Sequence, residues 1–167
     1  MTAESTVTPA PAPLAMKVFV ASDAITFVAL WVVAALVSPS AGSDPGPSVG
    51  MGAAMTSCLL AVSASFALGA RSARPRLASL VAAVLGMAFL AMTAIEYREL
   101  FAAGLSPQRS LAAASFLLLT GFHAAHVVAG VVLATRRALF VGPVEATALY
   151  WHFVDGIWVV IFVGLYL

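Results

Sequence analysis

Six side chains sit inside apolar runs where they could do chemistry: Asp23, Glu96, His123, His126, His152 and Asp155. Within hydrocarbon, an ionisable group is costly unless it is paired, so each needs a partner or a task. Three tasks suit these residue types. Histidines and carboxylates can neutralise one another and lock helices together. Histidine can ligate a metal or a haem, although His123–Ala124–Ala125–His126 is a spacing of low specificity and the Glu-x-x-His repeat of di-iron bundles is absent. A carboxylate such as Asp23 can also carry a proton or meet a lipid headgroup. Residue types alone leave all three open.

The surrounding sequence says what must position these groups. Of 167 residues, 62% are apolar and 9% charged, against about half and about a quarter in soluble domains. Such a chain cannot clothe itself in a hydrated surface, and lipid is its expected solvent. A net charge of +1 gives no nucleic-acid signature. The single cysteine, Cys58, rules out an internal disulfide framework and any multi-cysteine metal centre, and reads as a packing residue within a helix.

Crossing the hydrocarbon takes about 20 apolar residues. Five segments qualify, at residues 15–37, 51–70, 77–101, 111–134 and 146–167, joined by Pro-, Gly- and Arg-containing connections. The expected fold is therefore an all-α membrane bundle of five transmembrane helices forming one domain, residues 14–167. A Thr-, Ala- and Pro-rich disordered tail, residues 1–13, is expected to precede it. Basic residues favour the cytoplasm. An N-terminus inside places Lys17, Arg71, Arg74, Arg76, Arg136 and Arg137 there, leaves Arg98 and Arg109 outside, and puts the C-terminus outside.

Depth follows from a rise of 1.5 Å per residue. From the cytoplasmic end, His152 should lie about 9 Å deep, Asp23 and His126 about 12 Å, Asp155 about 14 Å and His123 about 17 Å. Glu96 falls near the opposite surface. His123 with His126, and His152 with Asp155, are three residues apart and share a helix side. Because the fourth and fifth spans should pack antiparallel, a histidine of the fourth is expected to hydrogen-bond Asp155. The small residues of the second and third spans predict close backbone approach. Tyr150, Trp151, Trp158 and Tyr166 read as interfacial or packing aromatics.

Four segments carry a resemblance. Thr120–Gly121–Phe122–His123–Ala124–Ala125–His126–Val127 is similar to the TGFHGxHV signature of subunit III of haem-copper oxidases. Tyr150–Trp151–His152–Phe153–Val154–Asp155, followed by Trp158, resembles that family's YWHFVDVVW segment. Glu96–Tyr97 matches its Glu–Tyr pair, and Glu145 an acidic residue before the last helix. Val20–Ala21–Ser22–Asp23 matches its ASE segment, with Asp in place of Glu. The order holds from about Met16 to the C-terminus.

The resemblance implies a multi-pass subunit of a bacterial plasma-membrane terminal oxidase, part of an oxidoreductase complex but without a catalytic centre. It implies catalytic subunit I and subunit II as partners, with the haems and copper held there and no metal in this chain. It further implies bound phospholipid, support of the active centre during turnover and of proton uptake, and for Asp23 the family's intramembrane carboxylate. The departures are specific. The commonest family form has seven helices, and counterparts of its first two are missing here. Thr93 stands for the usual Gln, Ala124 for Gly, and Gly156 for a bulkier residue. Tyr150–Trp151 points to cytochrome c as electron donor, with a quinol oxidase subunit and a nitric oxide reductase accessory protein as neighbouring readings. A free-standing proton-coupled transporter and a haem-bearing electron carrier are the readings from other classes.

Overall fold

The computed structural model describes residues 12–37, 45–71, 74–140 and 144–167. It contains five α-helices: α1 (Ala12–Val37), α2 (Val49–Arg71), α3 (Pro75–Ala102), α4 (Leu111–Leu139) and α5 (Val144–Leu165). No strand occurs among the described residues. All five helices are long and apolar enough to cross a membrane. Residues 1–11, most of the expected tail, lie outside the described residues, as do 38–44, 72–73 and 141–143 in the connections.

The helix ends show why the chain breaks where it does. Pro75 opens α3 in its first turn, where a missing N–H costs nothing. The same helix closes on Gly104 at φ +90°, a left-handed geometry that suits a residue without a Cβ. There Leu105 N–H donates to Leu100 O at 2.9 Å and Gly104 N–H to Phe101 O at 3.0 Å. These are the paired bonds of a Schellman stop, and its two leucines are both buried. Ser110 Oγ then caps α4 by accepting from Ala113 N–H at 2.9 Å. Helix α4 runs five residues past the expected boundary, which places Arg136 and Arg137 in its last turn. Cations are favourable beside the exposed carbonyls of a helix C-terminus.

Four helices close into a ring: α2 packs on α3, α3 on α4, α4 on α5, and α5 back on α2. Helix α1 lies outside that ring, against α4 and α5. The ring's centre is filled by Met55, Leu59, Val62, Phe89, Leu119, Val127, Trp151, Val154 and Trp158. Trp151 has no exposed surface. It fits because Gly86 and Gly130 face it: a Cβ on either would come within 2.8 Å and 2.9 Å of the indole. Close approach at Gly69, where a Cβ would run into that of Ala78, brings α2 against α3. This is the expected use of small residues in a membrane bundle. The outward faces carry exposed Ile25, Val28, Leu36, Leu68, Val84, Leu118, Val132 and Val163, as hydrocarbon solvent requires.

Candidate functional site

The polar side chains collect at two levels. At the level of the α2 start and the α5 end, Glu96 is only 2% exposed. Its Oε1 accepts from Ser48 N–H at 3.1 Å, and its Oε2 from the Tyr166 hydroxyl at 2.6 Å. Three parts of the chain meet on this one carboxyl. On α3, the Tyr97 hydroxyl lies 2.6 Å from Thr120 Oγ1 and donates to Leu117 O at 3.3 Å, so the Glu–Tyr pair ties α3 to the start of α2, to the end of α5 and to α4. The sequence placed Glu96 near a surface; the fold folds that surface region into a buried cluster.

At the deeper level the polar groups divide into three. Between α1 and α4, Asp23 Oδ2 stands 3.0 Å from His126 Nε2, each side chain 13% exposed. The contact is within ion-pair reach but off the line of a straight hydrogen bond. His126 Nδ1 is 2.8 Å from Phe122 O. A carbonyl only accepts, so Nδ1 carries a hydrogen. Any bond closed between Nε2 and Asp23 then requires one more proton, held either as imidazolium or as carboxylic acid. The pair lies at the edge of the bundle, between α1 and α4. Tyr150 reinforces it by donating from its hydroxyl to His126 O at 2.9 Å.

Between α2 and α5, the Ser63 hydroxyl donates to Asp155 Oδ2 and lies 2.8 Å from His152 Nδ1. This corrects the expectation that a histidine of α4 would bond Asp155. The partner comes from α2, because ring closure sets α5 against α2 at that depth while His126 turns toward α1. Asp155 is buried, whereas His152 is exposed; the two share a helix side but not an environment.

His123 is the third group. It is fully buried, with neither ring nitrogen hydrogen-bonded. Phe89, Trp158 and Phe27 surround it, with ring centroids at 5.5, 5.2 and 6.2 Å. Metal ligation would need further donors converging on it, and no group of three His, Cys, Asp or Glu stands together among the described residues.

The remaining motif residues fall as follows. Trp151 is the ring's central aromatic, and Glu145 lies exposed in the first turn of α5. Tyr150, Trp158 and Tyr166 are buried packing groups; Trp158 Nε1–H also donates to Thr56 Oγ1 at 2.9 Å. Cys58 is half-buried on α2. Sequence reasoning missed Ser63, Ser48 and the Tyr166 hydroxyl. A hydroxyl in mid-span, at the depth of His152, was the available signal for Ser63.

A family model describing cytochrome c oxidase subunit III matches residues 12–167. Similar curated proteins include cytochrome c oxidase subunit 3 of Corynebacterium diphtheriae, 42% identical over 94 residues, covering 50% of this chain and 45% of that one. The same-named protein of Synechocystis is 39% identical over 52% of this chain and 41% of its own length. Cytochrome bo(3) ubiquinol oxidase subunit 3 of Pseudomonas aeruginosa is 34% identical over 50% and 45%. The matched stretch thus spans less than half the length of each of these relatives. Since the family match runs through all five helices and all four motif segments, the chain belongs to the cytochrome c oxidase subunit III family.

Proposed function

We propose that this chain is a non-catalytic subunit III of a proton-pumping haem-copper terminal oxidase that oxidises cytochrome c in aerobic respiration. In this reading it steadies the catalytic subunit and supports proton uptake, while the haems and copper reside in subunits I and II. It sits in a bacterial plasma membrane with its N-terminus in the cytoplasm. The observation that carries the reading is the Asp23–His126 pair: two segments of the family resemblance, far apart in sequence, meet in one contact between α1 and α4. Orientation is supported by Lys17, Arg71, Arg74, Arg76, Arg136 and Arg137, which belong to the helix ends and connections on one side. A quinol oxidase subunit is the second reading, favoured by the likeness to the Pseudomonas protein.

The test is purification of the tagged chain from native membranes in mild detergent. A haem-copper oxidase reduced-minus-oxidised spectrum in the eluate, with cytochrome c oxidation, is the expected result. Quinol oxidation instead would shift the reading to the second branch. A chain that emerges without haem and moves a solute in vesicles would establish the transporter, and haem retained by the isolated chain would establish the electron carrier.

A further inference from the structure

Where α2 gives way to α3, a groove of about 250 Å³ lies between the two helices. Leu68 and Gly69 of α2 line it with Leu77, Ala78 and Val81 of α3, and Arg74 stands at its end. The helices meet at the small pair Gly69 and Ala78, while Leu68, Leu77 and Val81 are exposed along the sides. All of these positions except Arg74 belong to the membrane spans. From Arg74 to Val81 the groove follows α3 for about 10 Å, so it starts at the membrane surface and enters hydrocarbon.

Along its length the groove has little polarity to offer. Its one hydroxyl, that of Ser65, donates to Val62 O at 2.7 Å and reaches Ala78 O at 3.3 Å, so its hydrogen is spent within the protein. Ordered water needs about two to four polar partners, which these walls do not supply. An alkyl chain needs none.

The end of the groove is the opposite. Arg74 and Arg76 are exposed there, and neither has a carboxylate partner among the described residues. Helix α2 carries no acidic residue, and those of α3, Glu96 and Glu99, lie toward its other end. A guanidinium presents a rigid fork of donors that matches phosphate oxygens. An apolar trough with a cation at its surface end complements an alkyl chain joined to an anion.

We infer that the α2/α3 groove binds an anionic phospholipid, with an acyl chain along Leu77 and Val81 and the phosphate on Arg74. The inference needs only that these helices span a membrane, so it stands or falls apart from the proposed function.

Phosphatidylglycerol and phosphatidylcholine, each with a photoreactive acyl chain, test it on the full chain purified in mild detergent and returned to vesicles. Phosphatidylglycerol adducts at Leu68, Leu77 and Val81 should exceed phosphatidylcholine adducts there by about fivefold, the contribution of one arginine near an anionic lipid surface. Arg74→Gln should bring that ratio to about one while adducts at the exposed Ile25 and Val28 of α1 stay unchanged. Val81→Trp, which fills the groove from an exposed wall, should reduce the groove adducts of both lipids. Equal labelling by the two lipids, or a ratio that survives Arg74→Gln, would overturn the inference. Suppression of the phosphatidylglycerol adducts by inorganic phosphate would make this a free-anion site and overturn the lipid. Labelling of α1 with none in the groove from either lipid would assign the groove to a partner helix and overturn it equally.

Discussion

The ring of α2 to α5 and the α1 flank solve the same problem of burying polar groups in lipid, and they solve it differently. In the ring, polar contacts are redundant: Glu96 has two partners, Tyr97 two, and Trp158 bonds Thr56. The glycine-framed Trp151 fixes the centre. On the flank, α1 is held by the Asp23–His126 contact, by Phe27 among Phe122, Phe153 and the two α4 histidines, and by Trp31 lodged against Gly164. The difference predicts that the fold resides in the ring, and that α1, with its Asp23–His126 contact, can be disturbed without unfolding the rest.

Substitutions sharpen or break that contrast. The largest effect should come from Trp151→Ala, which empties the ring's centre. A loss of about 3–5 kcal/mol should appear as a collapse of helical signal at lower denaturant in detergent. Glu96→Ala removes the shared acceptor of Ser48 and Tyr166 and strands both donors. A loss of about 2–3 kcal/mol is expected, with Glu96→Gln costing less because its amide oxygen still accepts. Gly164→Leu drives a side chain into the Trp31 indole, which already lies 2.7 Å from a Cβ built there. It should cost about 1–3 kcal/mol, free α1 to protease, and leave the ring's unfolding midpoint nearly unchanged. Equal loss in ring and flank would break the comparison. Smallest in stability is Asp23→Asn, at about 1 kcal/mol, yet it removes the carboxyl that the proposed function ties to proton uptake. Oxidase turnover limited by proton uptake should slow in that variant while its thermal midpoint barely moves.

How much of this was legible in the residues follows from what a helix in lipid reveals. The five spans were readable because twenty apolar residues mean the same thing in any membrane chain. The depths of Asp23 and His126 were readable from the rise per residue, and those two do meet. Rotation was not readable. A soluble helix announces its inner face by amphipathicity, whereas here the outward positions of α1, such as Ile25 and Val28, are as apolar as its inward Phe27. Hence the partner of Asp155 was expected on α4 and proved to be Ser63 on α2. The Glu96 cluster was hidden for another reason. Ser48 and Tyr166 lie 48 and 70 residues away along the chain, and only ring closure brings them together. The motifs did what periodicity could not, since they identified the family before any contact was known.

If this chain supports redox chemistry housed elsewhere, removing it should separate support from catalysis. Deleting the gene and following the purified oxidase through sustained turnover measures that separation directly. The remaining complex should keep its full haem content and its initial oxygen consumption, then lose activity faster than the complete enzyme. Loss of haem in proportion to the missing chain would contradict this account, because it would place a redox centre among these five helices.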